Sequence, residues 1–150
     1  MRLSTRDLRP PGTAPGPTIT VTLVGCDYLA TVLAGHLPDG CRIEPVDRLD
    51  QTTATDVLVV GAATPATVAA AVRRHPSIPV VGLIDAAAPV TTIVGVLEAG
   101  ADTCVRAGET VLIASHLLAC LRRRAVSAGS QPTPSFHPAP SQPGPPALRP

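Results

Sequence analysis

Few side chains in this 150-residue chain are equipped for chemistry. The four cysteines, Cys26, Cys41, Cys104 and Cys120, could serve as nucleophiles or metal ligands, but no two form a CxxC pair. Zinc sites usually bring their ligands in such closely spaced pairs. The expectation is four small buried hydrophobes in a reducing compartment. His36, His75 and His116 are far apart on helical stretches, and His137 stands near the C-terminus, so no metal is expected. All twelve basic side chains are Arg, and the absence of Lys removes any lysine-based chemistry. Three charged residues remain, each after an apolar run: Asp27 after "TITVTLVG", Asp85 after "IPVVGLI" and Arg106 within "TCVR". They are candidates to meet in one pocket. The competing reading makes Asp27 a helix N-cap, Asp85 a loop opener and Arg106 a solvated cation.

The elements that must position these residues follow from hydrophobic periodicity. "TITVTLVG" (18–25), "DVLVVG" (56–61) and "IPVVGLI" read as buried strands, apolar on both faces. "CRIEPV" is a weaker strand that Pro45 places at an edge or shortens, and "TCVR" is a short fifth strand. "DYLATVLAGHL" has Leu29, Val32, Leu33 and Leu37 at helical spacing, with Asp27 as its cap. "LDQTTAT" is a short helix or only a loop. "TPATVAAAVRRH" is a helix capped by Thr64, with Pro65 in its first turn and Arg73, Arg74 and His75 in its last. "PVTTIVGVLEAG" is a helix that Gly100 ends, and "ETVLIASHLLACLRRR" is the last helix. This alternation predicts a parallel sheet with right-handed crossovers and helices on both faces. Ligand sites in such sheets lie beyond the carboxyl ends of the strands. The positions to inspect are therefore Gly25, Cys26 and Asp27; Gly61 and Ala62; Ile84 and Asp85; and Arg106 and Ala107.

Composition limits the alternatives. Of 18 prolines, twelve lie in 1–17 and 127–150, so a folded unit over 18–124 is expected between a disordered N-terminal segment, 1–17, and a disordered Pro-rich tail, 125–150. The tail contains Pro143-x-x-Pro146, the minimal spacing for an SH3-type groove. A net charge of +1 gives no global field for nucleic acid or membrane, and one Phe, one Tyr and no Trp leave nothing to stack bases on. Arg122, Arg123 and Arg124 could touch phosphate, but a helix C-terminus favours cations for its own reasons. The start lacks the apolar core of a secretory signal, and Pro79, Asp85, Pro89 and Glu98 interrupt the longest apolar region. A cytoplasmic protein without direct nucleic-acid or membrane contact is expected. "VGCDYLA" opens a helix after a strand as a dinucleotide fingerprint does, with Gly25 and Ala30 matching its ends. Asp27 stands where the middle glycine belongs, and its charge opposes a pyrophosphate. A small Rossmann-like cofactor-binding protein or enzyme fragment is the alternative that this match keeps open.

"VLEAGADTCV", "DVLVVG" and "IPVVGLI", in this order and spacing, resemble the receiver domain of bacterial response regulators, the CheY-like family. "LLACLRRR" is similar to the last helix of the OmpR-type members, whose DNA-binding domain has no counterpart in this sequence. The resemblance spans 18–124 and implies a doubly wound, three-layer α/β sandwich, flavodoxin-like, with strand order 2-1-3-4-5. In that family an Asp after the third strand accepts a phosphoryl group. An acidic pair after the first strand holds Mg²⁺, and a hydroxyl residue and a Lys follow the fourth and fifth strands. Carried onto this chain, the acceptor position falls on Gly61, the acidic pair on Gly25 and Cys26, the hydroxyl on Ile84 and the Lys on Ala107. The family's mobile aromatic falls on Cys104. The expectation is a phosphorylation-independent pseudo-receiver of a two-component-type system, regulatory and not an enzyme, with no cofactor. Asp27, Asp85 and Arg106 stay as candidates for a small-molecule pocket. Val111, Leu112, Ile113, Leu117, Leu118 and Leu121 give the last helix an apolar excess. The resemblance implies a homodimer or other protein contact through the fourth helix, fifth strand and fifth helix.

Overall fold

The computed structural model describes residues 18–129, with side chains described to 127; the calls on segment 1–17, on His137 and on the proline-rich stretch beyond Gly129 lie outside the described residues. Five strands, β1 (Ile19–Val24), β2 (Cys41–Val46), β3 (Val57–Val60), β4 (Val80–Ile84) and β5 (Thr103–Arg106), form one sheet in the order β2-β1-β3-β4-β5. Every neighbouring pair is parallel. Among the described residues three α-helices connect strands, α1 (Ala30–Ala34), α2 (Pro65–Arg74) and α3 (Val90–Glu98), and a fourth, α4 (Thr110–Gly129), follows β5. The doubly wound α/β sandwich is thus the observed fold, and Pro45 lies on an edge strand as its missing N–H requires.

Strand alternation divides the core in two. Val21, Leu23, Val57, Val59, Leu83 and Val105 face α1 and α4, where Leu33, Ile113 and Leu117 meet them. Leu58, Val60, Val80 and Ile84 face α2 and α3, and pack with Val68, Ala71 and Val96. Both faces of β3 are therefore dry, and all four residues of "VLVV" are buried. Gly82 on β4 lets α3 settle close: a Cβ there would stand 2.8 Å from Val96 Cγ1.

The first and last helices differ from the reading of the sequence, and a third segment, left open between short helix and loop, is settled. The first is short, because residues Asp27–Leu29 form a 3₁₀ turn and only five residues follow as α-helix. Asp27 is not its cap; Cys26 occupies the N-cap position and no side chain caps the turn. Between β2 and β3 only a 3₁₀ turn, Leu49–Gln51, remains. Gln51 Oε1 accepts the Asp47 and Arg48 amides at 3.0 and 3.1 Å, and the Thr-rich run behind it favours turn over helix. The last helix runs to Gly129, so the expected boundary at 124 falls inside it. By contrast, Thr64 caps α2 through the Thr67 amide with Pro65 in the first turn, and Gly100 leaves α3 at φ +106°.

The amino ends of the strands are held by side chains. Asp56 Oδ2 accepts the Thr20 amide at 2.9 Å, and Asp102 Oδ2 accepts the Val80 amide at 2.9 Å. Arg124 reaches the same corner, donating to the Asp56 carbonyl at 2.7 Å and pairing with its carboxylate at 3.6 Å. Of the three arginines read as candidate phosphate contacts, Arg124 is engaged at this corner and Arg123 donates to Cys120 Sγ at 3.3 Å.

Candidate functional site

At the carboxyl ends of the strands the chain packs backbone against backbone. Gly25 turns at φ +65°, a conformation glycine adopts without strain, and sends Cys26 inward to full burial. Gly61 lies directly against this turn. A Cβ at position 61 would stand 2.7 Å from the Gly25 carbonyl oxygen and 2.9 Å from the Cys26 Cβ. The Gly61 amide itself donates to the Val24 carbonyl at 2.8 Å. Ala62 follows at φ +44°, so this sharp exit from β3 places a non-glycine residue in the left-handed region.

The buried thiol beneath this contact is inert. Burial, with the Asp27 charge adding to it and a backbone contact from Gly61 opposing, pushes the Cys26 pKa up to about 11. Thiolate, the reactive form, is therefore scarce at neutral pH. Burial also raises Cys41 and Cys104, although both are only partly covered, unlike the fully buried hydrophobes expected of them. All four cysteines are free thiols.

The three charged pocket candidates do not meet. Asp27 lines a depression with Asp47 and Gln51 beside the end of β2. Asp85 lines a different one of about 360 Å³, with Tyr28, Ala62, Ile84 and Ala107. Its carboxylate is turned to its own loop, where Oδ1 accepts the Ala87 amide at 2.8 Å, so it opens the loop as the competing reading had it. Arg106 does not line that pocket, and it is half-buried with its guanidinium held by the chain. Its Nη1 donates to the Ala86 and Ala88 carbonyls at 2.6 and 2.9 Å, with the Asp85 carbonyl at 3.4 Å. Among the described residues no group of three His, Cys, Asp or Glu could hold a metal ion. His116 is half-buried and shares a hydrogen bond of 3.1 Å with Thr103 Oγ1. The dinucleotide match at Gly25 leads into a 3₁₀ turn, not directly into an α-helix whose dipole would face a pyrophosphate.

Large aliphatic side chains stay exposed elsewhere, on α3 and at the start of α4. Val90, Val94 and Leu97 lie on the open side of α3 at 67, 45 and 42 % exposure, and Val111 and Leu112 at the start of α4 at 64 and 42 %. Of the apolar excess expected on the last helix, Ile113 and Leu117 are core and Leu118 and Leu121 half-buried. The i, i+4, i+7 spacing of the α3 valines and leucine was the available signal, masked by Ile93 and Val96, which continue the apolar surface of the same helix into the core. Among the described residues no helix is long and apolar enough to cross a membrane.

No protein-family model matches this sequence, and no curated protein matches it. Solved structures do. The signal receiver domain of an HD domain-containing protein from Pseudomonas fluorescens Pf-5 aligns at a TM-score of 0.62 and 13 % identity, over 76 % of this chain and 94 % of its own. A CheY-like response regulator receiver domain protein from Methanospirillum hungatei aligns at 0.60 and 11 %, over 73 % and 98 %. The BeF3-activated DrrB receiver domain aligns at 0.59 and 16 %, over 71 % and 99 %. By strand order, layering and these neighbours, the chain has the fold of a CheY-like response-regulator receiver domain, at low sequence identity.

Proposed function

We propose that this chain is a regulatory pairing module: a receiver-like domain that works without phosphorylation and associates with a second copy through α3, β5 and the start of α4. The observation that carries the reading is the exposure of Val90, Val94 and Leu97 on α3 and of Val111 and Leu112 at the start of α4, the two helices that border β5. Five large aliphatic side chains stay in water there although the fold has two closed cores to receive them. A two-fold contact matches the patch with itself, and such a contact meets no like-charge penalty where the side chains are uncharged.

The packing at Gly61 supports the independence from phosphorylation. On the resemblance, this is the acceptor position, and it is filled by the Gly25 turn. Gly25, Cys26, Ile84 and Ala107, at the positions of the acidic pair, the hydroxyl and the lysine, offer no oxygen or cationic nitrogen from a side chain. Phosphoryl transfer is mostly positioning and charge neutralisation, so these losses act together. On this reading the domain is not an enzyme.

Sedimentation of the full chain with and without acetyl phosphate and Mg²⁺, each sample followed by intact mass, tests both halves. The expected result is a dimer in both samples and no phosphoryl adduct, in the wild type and in Gly61→Asp alike. An adduct on the wild type, or a monomer at all concentrations, overturns the reading.

A further inference from the structure

Arg106 has no place in the proposed function so far, yet it makes the densest set of side-chain contacts at the carboxyl end of the sheet. Its Nη1 carries two hydrogens, and the two short contacts, 2.6 Å to Ala86 and 2.9 Å to Ala88, account for both. The Asp85 carbonyl at 3.4 Å adds a longer electrostatic contact. The loop from β4 to α3 thus bends around one guanidinium nitrogen. It is further closed by Asp85, whose carboxylate accepts the Ala87 amide and whose carbonyl accepts the Ala88 amide at 3.0 Å. On its other side the Ala107 amide binds the Ile84 carbonyl at 2.8 Å, which fixes the backbone that carries Arg106.

This loop leads directly into α3 and its exposed valines. α3 starts at Val90, its N-cap residue is Pro89, and no side chain caps it. A helix without a side-chain cap takes the setting of its first turn from the chain that enters it. Here that chain is the segment Arg106 holds, two residues before Val90. We propose that Arg106 is the positioning residue of the pairing face: it keeps the β4–α3 loop in a single setting, so that Val90 and Val94 are presented permanently, with no modification or bound ligand needed. The proposal rests on the reading of that face as the pairing surface, and it assigns the face a fixed, always-available state.

Arg106→Met removes the donors and keeps most of the side-chain stem. Hydrogen exchange is measured on the full chain in Val94→Asp and in Val94→Asp/Arg106→Met. Both carry the charge that opposes pairing, so the comparison isolates the loop. The expected result is exchange faster by about tenfold over residues 85–92 in the double variant, with the β1 and β3 amides unchanged. Arg106→Met alone is expected to weaken association by about tenfold, as measured by sedimentation. Equal exchange in the two variants overturns the clamp. Faster exchange with undiminished association in Arg106→Met overturns its role in positioning the face. If Val94→Asp fails to weaken association, the face itself is misassigned and the link to pairing falls, whereas the exchange comparison still reports on the loop.

Discussion

At position 61 a single methyl group would stand 2.7 Å from a carbonyl oxygen, and the side chain beside that contact, Cys26, is fully buried. The thiol reports on the integrity of this corner. In the unfolded chain it ionises near its ordinary value of 9.0; in the folded protein burial raises it to about 11. The folded state therefore holds the proton more tightly. The stability this contributes is complete below pH 9.0 and is lost as the pH rises through about 11. Chemical denaturation is expected to show a midpoint that falls across that window in the wild type and falls less in Cys26→Ala, whose stability at pH 7 is lower by about 1 kcal/mol for the lost sulfur packing. A midpoint with the same slope in both proteins contradicts the assignment. Asp27, next along the chain, illustrates the limit of residue-level reading. Its sequence position suits a cap, but Gly25 directs the turn so that Cys26 takes the cap position and no side chain supplies the bond.

The elements themselves meet through glycine. Gly82 lies under α3 with Val96 Cγ1 2.8 Å and the Ala63 Cβ 3.3 Å from where a Cβ would stand. Gly82→Ala is expected to lift α3 from β4 and cost about 1–3 kcal/mol, as overpacking in closed cores does; thermal or chemical unfolding checks the loss. Gly95, on α3 itself, lies close enough that a Cβ would meet the Pro65 Cγ at 3.0 Å, so α2 and α3 share the same tight seam. Much at this scale was legible in advance. Runs such as "VLVV" that are apolar on both faces define buried parallel strands, and Thr64–Pro65 and Gly100 mark helix ends by local chemistry alone. The short α1 was less legible, because periodicity shows which side is apolar and not how many residues the turn consumes, and between β2 and β3 the sequence left a short helix and a loop both open. Arg106 was illegible for another reason. Its partners are carbonyls 18 to 21 residues upstream, and backbone oxygens have no signature in a sequence.

For the whole molecule, the exposed aliphatic side chains have no charge of their own to be screened. Association through Val90, Val94, Leu97, Val111 and Leu112 is therefore expected to be nearly insensitive to salt between about 0.05 and 0.5 M, while Val94→Asp disrupts it. Sedimentation across a salt series reads both, and steep weakening with salt would assign the contact to charged residues elsewhere. The longest helix sets the layout. α4 leaves β5 at the cleft end and has reached Asp56, at the opposite end, by Arg124. Its 20 residues measure about 30 Å, whereas a six-residue strand spans about 20 Å. Beyond Arg124 the helix continues for five further described residues, to Gly129. Its polar ties to the strands stand at two heights, His116 with Thr103 and Arg124 with the Asp56 carbonyl, so the long helix is pinned like a hinge leaf by two screws and is not free to pivot on one.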